Sequence, residues 1–316
     1  MSELKQHFVL DLEPTSGQGG RFQPTGFPNL GAALFERPKK EGDWEQALQV
    51  ESPQSMANHL EATTWDDASN SQRAEFDAIP YVEIVDTDGV FLTSSRLEAH
   101  RLACAYIMNS AIEEHSGREW LQARLGLHKG HALDQQALAA AVFELDPLSL
   151  IHGVFFAQKS WPWQPKIARA VTSFIEASDV RAAVSGGVKK DSVDIAGGAT
   201  NLGYGMVPFQ RIEYTARNIQ AFVSVDREQL RSYGLGEART ELLEAIIDFE
   251  LTHFFRRETI RLRTACELRL SDEAAETLPT LAEADTRLNS ALSALEGQLG
   301  QRTVAQWSER SAKKGE

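Results

Sequence analysis

The apolar run from Phe8 to Leu12, broken only by Asp11, reads as a short strand. The following stretch, Ser16 to Gly31, is rich in glycine, carries two prolines and has no period, so it reads as a loop. Ala47 to Glu51 reads as a strand running into Ser52, a helix N-cap, with Pro53 at the first helical position and Met56, Ala57 and Leu60 spaced to bury one helical face. Residues 61–78, acidic and rich in Ser and Asn, read as a surface connection. Tyr81 to Val85 and Val90 to Leu92, on either side of Asp88-Gly89, predict a hairpin. Ser95 and Glu98 have capping-box spacing and predict a helix to about His115, with Leu97, Cys104, Met108 and Ile112 near one stripe; a second helix is expected to reach Ala141. Phe143 to Phe156 is β-rich around Pro147, and Pro165 is expected to open a helix with Ile167, Val171, Phe174 and Ile175 on one side.

Ala183 to Val207 combines many glycines with two adjacent lysines and few large apolar groups, so it predicts a projecting arm or mobile loop. Phe209 to Tyr214 and Ala221 to Val225 read as strands, and Glu237 to Phe255 as an amphipathic helix. Between Arg261 and Leu270 the period drops to two, which predicts one half-buried strand. Leu281 to Leu299 reads as a leucine-spaced helix, and residues 311–316 as a disordered tail.

A chain of 316 residues with 42% hydrophobic and 24% charged residues can bury a sizeable core, which excludes disorder as its dominant state. The net charge of −13 argues against a protein that coats nucleic acid with its whole surface, although a local basic groove is compatible with it. Cys104 and Cys266 are too few and too far apart for a disulfide framework or a cysteine zinc site, and they read as reduced thiols of a cytoplasmic protein. No export signal or membrane span is expected.

Catalytic patterns fail one by one. Gly198 to Gly203 has the spacing of a phosphate-binding loop, but Tyr204 stands where lysine is required. No serine sits in a G-x-S-x-G elbow. His128 and His131 flank Gly130 with no carboxylate cluster nearby, and read as solvated rather than metal-binding. Asp86 with Asp88, and Asp191 with Asp194, have the composition of a magnesium site but are explained as turn residues. His100 and His152 read as satisfied polar groups. The expectation is a protein that is no enzyme, with no metal and no cofactor.

Three polar, glycine-bearing segments suit an anionic partner instead. Arg21, Gln23 and Thr25 lie in the first loop, where glycine lets main-chain amides approach an anion. Gln54, Ser55 and Asn58 lie in the helix opened by Ser52 and Pro53, whose N-terminus favours phosphate; capping alone is the simpler account of Ser52 and Ser55. Lys189, Lys190 and Asn201 lie in the arm. Residues 151–235 hold 10 Lys/Arg against 7 Asp/Glu, so basic charge is relatively concentrated there.

Four stretches, RFQPTGFPNLG (21–31), VESPQSMANHLE (50–61), TSSRLEAHRLACAYI (93–107) and DPLSLIHGVFFA (146–157), resemble the backbone subunit of type I-G (formerly I-U) CRISPR effector complexes, a branch of the RAMP superfamily. The resemblance implies an α+β fold: a modified RRM or ferredoxin-like core, with an antiparallel sheet and helices on one face, in a single domain over 1–310. It further implies a helical insertion at about 94–141 and a protruding glycine-rich thumb at about 183–207. It implies a non-catalytic scaffold that polymerises head to tail along CRISPR RNA and supports recognition of target DNA through the guide. Its partners would be that RNA, neighbouring copies, the large subunit and the RNA-processing or end-capping subunit, with no membrane. RNA-backbone contacts carry over to Arg21, Gln23, Thr25, Gln54, Ser55 and Asn58, with Arg96 and Arg211 as further candidates and Lys189, Lys190 and Asn201 in the thumb; for Arg96 a salt bridge to Glu98 or Asp88 is the rival reading. The subunit would read phosphates and sugars, in keeping with the lack of an aromatic signature for stacking bases on the sheet. The alternatives are a metal-dependent RNase using Asp191 or Asp194, as in type III backbone subunits, and a protein-only assembly factor.

Overall fold

The structure, a computed structural model, describes residues 5–27, 31–39, 42–190 and 206–308. In chain order its main elements are β1 (Lys5–Pro14), β2 (Leu34–Pro38), β3 (Trp44–Glu51), α1 (Pro53–Glu61), β4 (Val82–Val85) and β5 (Phe91–Ser94). There follow α2 (Gly117–Arg124), α3 (Gln135–Leu145), α4 (Leu148–His152), β6 (Val154–Phe155), β7 (Lys166–Ile167), β8 (Val171–Ser178), β9 (Arg181–Lys190), β10 (Met206–Thr215) and β11 (Asn218–Asp226). The chain closes with α5 (Glu237–Phe255), β12 (Ile260–Arg263), β13 (Cys266–Leu270), α6 (Leu281–Ser293) and β14 (Thr303–Gln306).

Seven strands form one antiparallel sheet in the order β12-β13-β1-β11-β8-β3-β2. The fold is therefore α+β with an antiparallel sheet, as expected. Its inner face carries Leu10 and Leu12, Ile219 to Val225 at every second position, Val171 and Ile175, and Leu48, all buried in one cluster with Met56 and Leu60 of α1 and most of α5. The period of two in each strand sorts these side chains to one face. On the other face the register places Val9, Phe222 and Phe174 side by side, with the two phenyl rings stacked at 5.1 Å. This aromatic pair was not anticipated from the sequence. It was hidden because Phe174 reads as helical in sequence, whereas the segment after Pro165 forms β7 and β8. The β-branched run Ile167, Val171, Thr172 and Ile175 favours strand, and pairing with β11 along all of β8 decides it.

Other differences share this cause. Residues 95–110 are turns, a 3-10 turn at Arg101–Ala103 and a single helical turn at Ala105–Met108 rather than a long helix, and Ala111–Ile112 pairs with His115–Ser116 in a short hairpin. Ser95 is drawn away from capping: its hydroxyl donates to the Asp146 carboxylate at 2.7 Å, and Glu98 accepts from Thr93. The segment 143–156 completes α3 and forms α4 before the two residues of β6, because Pro147 opens a helix instead of interrupting a strand. Residues 61–78 bury Thr63, Thr64, Trp65 and Phe76 and are thus part of the core boundary. Arg261 to Leu270 divides into two strands around Thr264-Ala265. The arm is partly strand: β9 and β10 pair over ten residues, from Arg181 opposite Thr215 to Lys190 opposite Met206. Residues 191–205, with Asn201, Asp191 and Asp194, and the expected tail lie outside the described residues.

The strands at 44–51 and 82–94, the helix at 53–61 and the helix at 237–255 stand where the pattern puts them. The last is apolar nearly all round because it is the central helix of the core, wedged among α1, α4 and α6.

Candidate nucleic-acid interface

The first expected segment and the start of α1 meet at one carboxylate. Glu51, the last residue of β3, is 0% exposed. Its Oε1 accepts from the Thr25 hydroxyl at 2.6 Å and from the Ser52 amide at 3.1 Å, and its Oε2 accepts from Arg263 at 3.0 Å. Burial alone would raise the Glu51 pKa, but His59, Thr25, the Arg263 charge and the Ser52 amide outweigh it and hold the carboxyl down at about 2. Residues 22–25 also lace the sheet together. Phe22 exchanges both main-chain hydrogen bonds with Tyr214 at the base of β10, the Gln23 amide donates to Ala265, and the Thr25 amide donates to Val50. The Arg263–Glu51 pair joins β12, one edge strand, to the end of β3 near the opposite edge, so the sheet is strongly curled.

This geometry corrects the expected role of the loop. The amides of Phe22, Gln23 and Thr25 are spent on carbonyls of the protein itself, and the Thr25 hydroxyl is spent on Glu51. Arg21 keeps an exposed side chain 3.7 Å from Glu213, which also holds Arg211 at 2.9 Å. Arg21 and Arg211 therefore share one nearly buried carboxylate at the root of the β9–β10 ribbon.

At the start of α1, Ser52 caps: its hydroxyl accepts from the Ser55 amide at 3.2 Å. Gln54 and Asn58, one turn apart, are exposed, and Ser55 is half-exposed. The Gln54 side-chain oxygen accepts from Arg169, whose guanidinium also donates to the Pro53 carbonyl at 3.3 Å.

Arg169 leads to a groove that the sequence did not reveal. β11 pairs with β8 over its full length, but β3 pairs only with Ile175–Ser178, so the edge of β8 at residues 171–174 has no strand partner in the sheet. Alongside this edge runs a groove of about 640 Å3, lined by Gln54, His100, Arg101, His152 to Phe155, Lys166 to Arg169, and Thr172. Its walls carry no Asp or Glu among the described residues. Arg101 is fixed by a two-pronged contact to Glu61 at 2.7 and 2.6 Å and by the Gly153 carbonyl. His152 is buried with Nε2 at 2.9 Å from Glu250. Burial, with the Arg101 charge, pushes the Arg169 pKa down from its usual value, which still leaves a full positive charge at neutral pH. Lys166 is exposed and has no carboxylate partner among the described residues. The signal for this groove was the positive balance of residues 151–235; its placement was obscured when 143–156 read as strand and 165–175 as helix.

Two thumb candidates are partly in view. Lys189 is exposed near the far end of β9, and Lys190 follows as the last described residue there. One face of the ribbon exposes Val184 (70%), Val188 and Ile212. Arg96 is a correction: it is 5% exposed, with Nε 3.0 Å from Asp146 and a bond to the Pro80 carbonyl. Burial raises the Asp146 pKa against the opposing Arg96 charge. Arg96 is thus buried and ties 80–96 to α3, and its ion pair is with Asp146 rather than with Glu98 or Asp88.

Residues 8–182, more than half of the chain, match the family described as CRISPR-associated protein GSU0053 (Cas_GSU0053). The chain belongs to this CRISPR-associated family. The matched span contains Glu51, α1, the groove and β8. No curated protein matches the sequence. One chain of a solved "CRISPR RNA-guided surveillance complex, pre-nicking" is similar over 98% of each chain, at 10% identity and a TM-score of 0.41, a likeness too loose to argue from. Among the described residues of this family member no cluster of three or more metal-ligating side chains occurs, and no helix is long and apolar enough to cross a membrane.

Proposed function

We propose that this protein is a non-catalytic CRISPR RNA-binding scaffold, the backbone subunit of a type I-G effector. Copies line up head to tail along the guide, in the cytoplasm, with the large subunit and the RNA-processing or end-capping subunit, and target DNA is met through the guide. The observation that carries the proposal is the groove bearing Lys166 and Arg169, with no carboxylate in its described walls, beside the start of α1 on a chain of net charge −13. On an acidic body, a groove lined by Lys166 and Arg169 with no carboxylate in its described walls is a local point of attraction for nucleic acid. Lys166 and Arg169 neutralise phosphates, while Gln54, Ser55 and Asn58 supply neutral hydrogen bonds at the helix start. Lys189 and Lys190 on the projecting ribbon extend the contact beyond the body. An open-ended, heterologous interface is the arrangement that lets one subunit repeat along an extended strand.

The test is the salt dependence of RNA binding by the full chain. On single strands each neutralised phosphate contributes roughly 0.7 to the slope of log K against log salt. Replacing Lys166 and Arg169 by Gln is expected to lower the slope by about 1.4, and replacing Lys189 and Lys190 likewise by about 1.4. A slope unmoved by the first pair removes the groove from the RNA site, and one unmoved by the second removes the ribbon.

A further inference from the structure

The groove also carries an aromatic ring with no stacking partner among the described residues. β6 pairs with β7 so that Phe155 lies opposite Lys166, which puts both side chains on the same face of the hairpin. Phe155 is 50% exposed and lines the groove together with Arg169 and Gln54. Its neighbour Phe156 points the other way, fully buried, with its ring 6.0 Å from Trp161. The hairpin is held in place from several directions. Gly153 turns with φ +80°, the Phe156 main-chain amide donates to the Pro165 carbonyl, and the Gln164 side-chain amide donates to the Ala157 carbonyl. Phe155 is thus an exposed phenyl on a fixed support. The Phe174 and Phe222 rings on the open sheet face stack on one another instead.

We propose that Phe155 is a stacking platform for one nucleobase of the bound RNA, with the adjoining phosphates on Lys166 and Arg169. This rests on the groove being the RNA site. An exposed ring interleaved with cations, in a channel free of carboxylates, is the arrangement that holds single-stranded nucleic acid whatever its sequence, since every base has a flat face to stack. The groove volume of about 640 Å3 is ample for one base and its sugar. Sequence-independent stacking suits a subunit that leaves sequence choice to guide pairing.

The experiment compares the full chain binding two short single-stranded RNAs of equal phosphate count, one intact and one abasic, at fixed salt. Phe155→Ala is expected to weaken the intact RNA roughly 5- to 150-fold and to leave the abasic RNA unchanged, with Phe155→Trp restoring binding. Lys166→Gln is expected to weaken both RNAs alike. If Phe155→Ala leaves the intact RNA unaffected while Lys166→Gln weakens it, the platform is overturned and the groove stands. If neither variant matters, the groove itself is refuted as the RNA site and the platform with it. Unchanged RNA affinity with lost self-association would assign the ring to a protein contact and also overturn the proposal.

Discussion

Replacing Glu51 by Gln removes the charge that joins residue 25, the start of α1 and Arg263, while keeping the shape of the side chain. In the folded protein the Glu51 carboxyl titrates at about 2, against 4.5 for an unperturbed group. A folded pKa depressed in this way means that the ionised group stabilises the fold fully above pH 4.5, and that the contribution is lost as pH falls toward 2. At 1.36 kcal/mol per unit, the depression corresponds to about 3 kcal/mol at pH 7, and about half of that survives at pH 3. A loss of this size agrees with the cost of leaving one partner of a buried pair uncompensated, here Arg263. Denaturant unfolding of wild type and Glu51→Gln across pH 7 to 3 measures it. The gap in stability should be about 3 kcal/mol at neutral pH and should narrow steadily below pH 4.5. A gap that stays constant over that range would show that Glu51 titrates normally in the folded chain, and the electrostatic account of this junction would be wrong.

Two further variants separate structure from binding. Arg96→Leu leaves Asp146 buried without its cation and should cost about 3–5 kcal/mol of stability. Its RNA salt slope should match wild type, and a reduced slope would return Arg96 to the interface. Gly153→Ala puts a methyl group 2.9 Å from the Ile167 carbonyl at a positive φ, so it should destabilise by about 1–3 kcal/mol and weaken RNA binding through the displaced Phe155–Lys166 hairpin. Unaltered melting and binding would show that the hairpin tolerates the shift.

Much of the fold was legible along the chain. Ser52, Pro53, Met56, Ala57 and Leu60 specify α1 by local rules of capping and period, and the structure starts the helix at Pro53 as expected. The helix Glu237–Phe255 stands on the expected bounds, and the hairpin around Asp88-Gly89 within one or two residues of them. Such elements depend on residues within one or two turns of each other. Where a segment's choice depends on distant partners, local pattern misled. Ser95 and Glu98 have the spacing of a cap, yet Asp146, fifty-one residues away, takes the Ser95 hydroxyl. Phe174 and Ile175 fit a helical stripe, yet β11 is there to pair with them.

The candidate site divides along the same line. Sequence alone settled that the chain is acidic overall, that basic charge gathers between residues 151 and 235, and that α1 begins at a capped proline turn, because composition and capping are properties of the chain itself. Only tertiary structure decided which polar groups are spent and which face solvent. Glu51 consumes Thr25, Asp146 consumes Arg96 and Glu213 gathers both Arg21 and Arg211, since a buried carboxylate must collect donors wherever the fold brings them. The groove exists because β3 stops short of the end of β8, and Lys166, Arg169 and Phe155 arrive there from a hairpin whose position no local pattern specifies.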